Sequence, residues 1–253
     1  MRTGRELEPV LWRMQHGEWQ RFGSSQPYDN ETFVSPGADG RIDIMIKGRV
    51  PCGIASIVAT LLETSLYHMW MAPVTRSTEI HRASHFRRLV HLRCMRVPPF
   101  ALREGLVHAY GDIISPTSIM AYLKTVDADD DATYADERRA REEASRAEGA
   151  VRILIDGGIH LETDDCEDGA ATRVAYYVKL DLRLGFLPDW LMDLLLRSLA
   201  PMLLPELVRH AARFDVGGDL HHRIVSGPDA PVYAELMQRL RVLNRRGPPR
   251  AAA

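Results

Sequence analysis

Two histidines have a spacing that can bind a metal. His81 and His85 lie four residues apart, a separation found in pairs of zinc ligands. The glutamate of an HExxH motif is missing, and His85 falls where a strand-like pattern begins, so we predict no zinc site. The acidic run at 127–131 lacks the loop glycine and the distal glutamate of an EF-hand. We therefore expect neither a metal nor a cofactor.

The common catalytic motifs are also missing from the sequence. It contains no GxSxG nucleophile elbow, no Walker phosphate loop and no GxGxxG dinucleotide motif. The paired glycines Gly157-Gly158 and Gly217-Gly218 do not lie in phosphate-loop contexts. Because no nucleophile is organised, we predict that the protein is not an enzyme.

One arginine lies in phase with the apolar side of a strand pattern. Arg88 falls on the same face of this strand pattern as the apolar Phe86, Val90, Leu92 and Cys94, so its side chain is predicted to point inward. A buried guanidinium is costly alone and needs a carboxylate or the phosphate of a ligand as its partner. The alternative is a bulge beside Arg87 that returns Arg88 to water.

Three further polar side chains lie on predicted strands, one on a first strand and two together on a second. Tyr176 lies on the apolar face of a long strand pattern, where its hydroxyl could contact a ligand or its ring could pack in the core. His108 and Tyr110 share one face of another strand and allow the same two interpretations. These residues, with Arg88, are candidate contacts for a ligand.

Alternating apolar and polar residues define the strands that carry these side chains. In residues 41–50 the apolar Ile42, Ile44, Ile46 and Val50 share one face and charged residues share the other, so we predict one face in water. Residues 173–184 alternate in the same way over a longer stretch. Weaker alternation, separated by turn signals, indicates further strands of an antiparallel sheet at 86–97, 103–114, 118–126 and 151–161.

Two helical segments accompany the predicted sheet. The first, around 54–62, has apolar residues at helical spacing. The second begins at Pro188 and runs to about Phe214, with apolar residues on almost every side, so we expect it to be buried. Pro201 and Pro205 each remove a backbone donor from its interior, and the helix should kink or divide there.

Composition limits the partners and the compartment. A chain of 253 residues with 45% hydrophobic residues can bury a core, and its formal net charge of -2 offers no basic field for nucleic acid. The three cysteines lie outside CxxC spacing, and no apolar run follows the early positive charges. The apolar stretch 187–208 carries charges that a transmembrane span would not tolerate. We expect a cytoplasmic monomer.

The predicted elements divide the chain into three parts. Residues 1–14 form an N-terminal extension, and 15–214 form one domain that contains a charged insertion at 127–149. Residues 215–253 form a polar linker followed by a short helix and a tail.

Three motifs, in order, resemble those of a known family. ETSLYHMW at 63–70 precedes Pro73; Pro98-Pro99 precedes the pair Arg103-Glu104; and Asp181 precedes GFLPDW at 185–190. Residues 15–214 are thereby similar to the START family, the steroidogenic-acute-regulatory-related lipid-transfer domains, especially divergent protist and algal members. The charged insertion and the two prolines of the last helix depart from the family pattern.

The resemblance implies an α+β helix-grip fold, in which a curved antiparallel sheet wraps a long C-terminal helix around an internal apolar cavity. In the family the arginine matched by Arg103 often reaches a polar cluster in the cavity. The alternative is that Arg103 and Glu104 form a solvated pair at a strand end. Trp190 could line the cavity, lie at a membrane interface or pack in the core. Leu194 follows it on the last helix as a further candidate contact for the lipid.

The predicted function is noncatalytic binding of one lipid and its transfer between membranes. The ligand would be a sterol, phospholipid, sphingolipid or fatty-acid-like molecule, membrane contact would be transient, and the last helix would act as a moving lid. One alternative is an enzyme of the same architecture, such as a polyketide cyclase-like protein or a hydrolase, with Tyr110, His108 or Glu104 in acid–base roles. Another is a scaffold that binds a protein partner.

Overall fold

The computed structural model describes most of the chain. The described residues are 3–36, 41–84, 86–115, 117–126, 148–164, 171–184, 188–215, 217–227 and 229–245. The strands are β1 (Gln20–Ser25), β2 (Asn30–Pro36), β3 (Arg41–Val50), β4 (Val74–Ser84), β5 (Arg87–Cys94), β6 (Arg103–Ser115), β7 (Ser118–Thr125), β8 (Val151–Arg152), β9 (Leu154–Thr163) and β10 (Thr172–Asp181). The α-helices are α1 (Thr3–His16), α2 (Ile54–Leu62), α3 (Asp189–Asp193), α4 (Ala200–Ala211), α5 (His221–Ser226) and α6 (Ala230–Arg245).

The ten described strands form one curved sheet. Their order is β1-β2-β3-β10-β9-β7-β6-β5-β4, with antiparallel neighbours throughout, and β8 pairs with β6 in parallel. Apolar side chains of the inner face pack against the C-terminal helix, where Leu203, Leu204 and Leu207 are buried. The predicted α+β helix-grip architecture is confirmed.

Three strands near the edges of the sheet were not predicted from the sequence. β1 and β2 lie at one edge, and β4 lies at the other, where the sequence indicated no strand between positions 50 and 85. The pairing of β4 with β5 has three register shifts, which disrupt the two-residue alternation that marks a strand. Edge strands with polar faces leave little periodic signal.

Only part of the outer face of β3 is in water: Arg41, Lys47 and Arg49 are exposed, as the sequence predicted, whereas Asp43 and Met45 are not. Helix α1 lies on this face, and Met45 and Asp43 are both buried beneath it. The Arg13 guanidinium of α1 donates to Asp43 Oδ2 through Nε (3.1 Å) and Nη2 (3.0 Å), and the Tyr177 hydroxyl approaches the same oxygen at 3.4 Å. The described part of the N-terminal extension therefore covers the sheet and neutralises its buried carboxylate.

The C-terminal helix does not break at its prolines. Helical structure continues from α3 through a π-helical turn (Leu194–Leu199) into α4, and a 3-10 turn (Ala212–Phe214) ends it. Pro205 has no N–H to donate to the carbonyl of Pro201, and Asn30 Nδ2 from β2 donates to that carbonyl instead at 3.2 Å. The hydrogen-bonding pattern thus changes where the sequence predicted a kink.

This helix is buried on one side only, which corrects a second expectation. Leu204 and Leu207 are fully buried, whereas Trp190 and Met202 are 46% and 48% exposed. No described helix combines the length and the apolar character needed to cross a membrane.

Residues 217–227 and 229–245, here the C-terminal segment, fold back onto the domain. Helix α5 lies within the stretch predicted to be a linker, and α6 is the terminal helix that the sequence indicated. Tyr233 is buried against Ala59 and Phe214, and its hydroxyl donates to Glu63 Oε1 at 2.7 Å. His85 and nearly all of the charged insertion lie outside the described residues.

Candidate functional site

A first apolar pocket lies between the inner face of the sheet and the C-terminal helix. Its volume is about 160 Å³, and its walls come from both elements. The strands contribute aliphatic side chains such as Ile44, Val178 and Leu180, and the helix contributes Leu194, Leu195 and Leu203. Leu194 therefore lies where the sequence placed it. An apolar space of this size is large enough for a small organic group and unfavourable for water.

A second pocket of about 180 Å³ adjoins the first. Met71, Leu123 and Tyr176 line both pockets, so the two spaces meet at these side chains. The second pocket is more polar, because Thr64, Arg88, Asp112 and Arg239 are among its lining residues. The two pockets are thus neighbouring apolar spaces, the first with Arg103 and the second with Arg88 among its lining residues.

Arg103 lines the first pocket and has no acidic partner among the described residues. Its Nη1 donates to the carbonyl of Ala101 at 2.6 Å, its Nε donates to the carbonyl of Leu182 at 3.4 Å, and its guanidinium lies 5.5 Å from the ring centroid of Phe100. Partial burial lowers the pKa of Arg103 below its usual value. The alternative of a solvated pair with Glu104 is wrong, because Glu104 bonds to His91 on the other face of the sheet. Arg103 is thus a cation available to an anionic group.

Trp190 extends the same site towards solvent. Its indole stacks on Phe100 with ring centroids 5.7 Å apart and an interplanar angle of 13°, which makes a column of Trp190, Phe100 and Arg103 beside the first pocket. Met95, another residue that lines this pocket, is also exposed. An exposed aromatic and apolar rim is suited to contact with an apolar surface.

Arg88 points inward, as one of the two sequence interpretations predicted, and lines the second pocket. Its side chain is only 5% exposed, and its Nη1 donates to Glu79 Oε2 at 3.0 Å. Asp229 of the C-terminal segment lies 3.9 Å from Arg88 Nη2 and accepts two hydrogen bonds from Arg82 Nη1, each 2.7 Å long. A carboxylate partner, and not a bulge, makes the burial of this arginine possible.

Tyr176 lies where the two pockets meet, and no described residue forms a hydrogen bond with its hydroxyl. Burial away from bulk solvent raises its pKa to about 12, so the group stays protonated and can both donate and accept a hydrogen bond. The side chain lines both pockets. Tyr176 can therefore hold an uncharged polar group of a ligand.

Glu104 and His108 do not belong to the site, contrary to the sequence prediction. They alternate with Val107 and Ala109, which pack in the inner core, and so they lie on the outer face of β6. Glu104 Oε2 lies 3.1 Å from His91 Nε2 in a buried pair. A ligand in the pockets cannot reach either residue through the sheet.

Tyr110 also projects to the outer face, although it is one of the residues that line the second pocket. Its ring contacts that of Tyr122 edge to face in the cluster beneath α1, with centroids 4.9 Å apart. The three acid–base candidates of the enzyme interpretation therefore do not converge on one place. Among the described residues, no group of three His, Cys, Asp or Glu side chains is placed to bind a metal.

Glu79, Asp229 and Met71 were not recognised from the sequence as site residues. Glu79 lies on the edge strand that the alternation did not reveal, and Asp229 lies in the presumed linker region. Met71 follows the motif at 63–70 and gives no signal of its own. The inward phase of Arg88 was the available clue, because it required a carboxylate from elsewhere in the chain.

Comparison with known proteins identifies the fold. No family model and no curated protein matches this sequence. A fragment of the STAR-related lipid transfer protein from Xanthomonas axonopodis has a TM-score of 0.58 and 17% identity, over 77% of this chain and 98% of that chain. Human StAR-related lipid transfer protein 5 has a TM-score of 0.63 and 14% identity, over 83% of this chain and 95% of that chain. The chain therefore has the helix-grip fold of these domains, and the resemblance seen in its motifs is confirmed at the level of the fold.

Proposed function

We propose that the protein binds one lipid in the two adjoining pockets and carries it between membranes. The observation that carries this proposal is the pair of apolar spaces that meet at Tyr176, between the sheet and the C-terminal helix. Each buried CH₂ group gains about 0.8 kcal/mol on leaving water, so shape and apolar area would dominate the affinity. The lipid transfer proteins that share this fold support the same function.

The proposal assigns separate tasks to the polar and aromatic residues. Arg103 holds the headgroup beside the first pocket, Tyr176 bonds an uncharged polar group inside, and the aliphatic walls enclose the remaining chain or ring system. Trp190 and Met95 contact the membrane while the lipid enters or leaves. The carrier works as a cytoplasmic monomer, and its contact with the membrane is transient.

The direct test is extraction of a lipid from vesicles. We expect the purified protein to remove a fluorescent sterol, fatty acid or phospholipid from vesicles and to return it chemically unchanged. Fluorescence transfer measures the extraction, and mass spectrometry of the recovered lipid tests for a reaction. Failure with the whole panel would remove the carrier proposal, and a converted product would favour the enzyme alternative.

Replacing the arginine beside the first pocket should alter the choice of ligand. Arg103→Leu removes the cation that has no acidic partner in the described part of the chain, so the affinity for a fatty acid relative to a sterol should fall about tenfold. The melting temperature should change by only about 2 °C, because two hydrogen bonds to carbonyls at a partly exposed site are lost. Competition binding and thermal melting measure the two quantities.

A matched control is Arg197→Leu. Arg197 is 69% exposed and pairs with Asp193, and it lies on the side of the helix opposite to Leu195, which lines the pocket. This variant should leave the ligand ratio unchanged. If Arg103→Leu lowers the melting temperature strongly and leaves the ratio unchanged, Arg103 has a structural role instead.

A further inference from the structure

The pocket-facing Arg88 receives part of its counter-charge from outside the helix-grip domain. Glu79 lies on the neighbouring strand β4, whereas Asp229 directly precedes α6 in the C-terminal segment. Arg82 joins the two carboxylates, because it also donates to Glu79. The side chains of Arg88 and Asp229 are only 5% and 15% exposed, so the interaction is largely shielded from water.

The C-terminal segment holds Asp229 in place and forms part of the second pocket. Tyr233, one helical turn beyond Asp229, is 1% exposed and bonds to Glu63, and Arg223 of α5 donates to the same carboxylate. Arg239, further along α6, lines the pocket and pairs with Glu235 of its own helix. The segment is therefore part of the pocket wall.

The charges around Arg88 balance. Arg82 and Arg88 carry two positive charges, and Glu79 and Asp229 carry two negative charges. Of the other charged residues that line the second pocket, Arg239 pairs with Glu235 and Asp112 is negative, so neither adds a net positive charge. An anionic group that entered the second pocket would meet no excess positive charge and would lose its hydration, which is costly. An uncharged group avoids this cost and can bond to Tyr176.

We propose that Asp229 selects the ligand: by neutralising Arg88, it reserves the second pocket for the uncharged end of a lipid and excludes carboxylate and phosphate groups. The inference rests on the proposed lipid binding and deepens it. It predicts that the inner end of the ligand is a hydrocarbon or carries a hydroxyl or carbonyl group, whereas a charged headgroup is held at Arg103.

The test compares a fluorescent sterol with a fluorescent fatty acid. Both are measured on the full chain in an Arg103→Leu background, so that the first pocket offers no cation to the carboxylate. Adding Asp229→Asn leaves one unbalanced positive charge at Arg88. The affinity for the fatty acid relative to the sterol should then rise about tenfold.

Two matched variants separate charge from structure. Asp229→Glu keeps the charge and should keep the original ratio. Asp219 lies elsewhere in the C-terminal segment, where its exposed carboxylate pairs with Arg213 of the preceding helical turn. Asp219→Asn should therefore also keep the ratio of fatty-acid to sterol affinity. If Asp229→Asn does not fold, Arg82→Gln provides an independent test with the opposite sign, because the network becomes negative and the relative affinity for the fatty acid should fall.

An unchanged ratio in folded Asp229→Asn, or an equal change in Asp219→Asn, would overturn the selection by Asp229. An unchanged or higher affinity of Arg82→Gln for the fatty acid relative to the sterol would overturn the proposal as well. If the wild-type protein binds neither probe, the proposed lipid binding itself is wrong, and this outcome is distinct from a failure of the selection by Asp229.

Discussion

Val178→Trp should abolish most lipid binding and leave the fold intact. Val178 lies at the centre of β10, and its side chain lines the first pocket, so an indole would occupy the space proposed for the lipid. We expect the affinity for the best ligand to fall at least about tenfold, which corresponds to about 1.4 kcal/mol. The melting temperature of the lipid-free protein should be kept or raised, because filling an apolar cavity is stabilising. Equilibrium binding and thermal melting are the measurements.

The adjacent residue provides the control. Lys179 is exposed on the outer face of the same strand, so Lys179→Trp adds the same ring outside the pocket. The Lys179→Trp variant should bind lipid with the affinity of the wild-type protein. If Val178→Trp folds and binds the ligand normally, the ligand lies elsewhere and the proposed site is wrong.

Removing both prolines of the C-terminal helix should slow lipid exchange. A lipid enclosed by the sheet leaves only if a covering element moves, and the π-helical turn directly before Pro201 is where the helix departs from regular geometry. Pro201→Ala with Pro205→Ala restores two backbone donors and favours a regular α-helix. We expect higher helix content, a melting temperature raised by about 2–4 °C for each kcal/mol gained, and vesicle-to-vesicle transfer slowed about tenfold.

Pro231→Ala is the matched control. Pro231 is exposed in the first turn of α6, where its missing N–H would have no partner in the helix, so its replacement should not change transfer. Circular dichroism, thermal melting and fluorescence transfer at equal ligand affinity give the three quantities. Equal transfer rates for the double variant and the wild-type protein would mean that other elements, such as the loops between strands, release the lipid.

The inner faces of the long strands followed from sequence alone. Ile44, Ile46, Val178 and Leu180 were identified as one apolar surface, because successive side chains of a strand alternate between its two faces and this periodicity is local. The apolar helix after Pro188 was equally evident from its composition. These two features predicted an antiparallel sheet with an apolar face and a buried apolar helix, and the resemblance of the motifs to START domains implied that the two enclose a cavity.

Local patterns also contained information about β6 that the sequence-based site prediction did not use. His108 alternates with the inner-face residues Val107 and Ala109, and that phase excludes it from a pocket on the inner face. The motif match that selected Arg103 identified a residue of the site, whereas its neighbour Glu104 necessarily faces the other way. A strand places adjacent residues on opposite faces, so a matched pair cannot contribute two inward side chains.

Tertiary structure alone decided the electrostatics of the site. The carboxylates of Glu79 and Asp229 lie 9 and 141 positions along the chain from Arg88, and no periodic pattern links residues on a bulged edge strand, its neighbouring strand and a terminal segment. The burial of Asp43 under α1 is of the same kind, since it depends on which helix covers the outer face. Strand phase is a property of neighbouring residues, whereas charge balance depends on every element that meets in space, and for that reason sequence predicted the apolar walls and folding determined which charges face them.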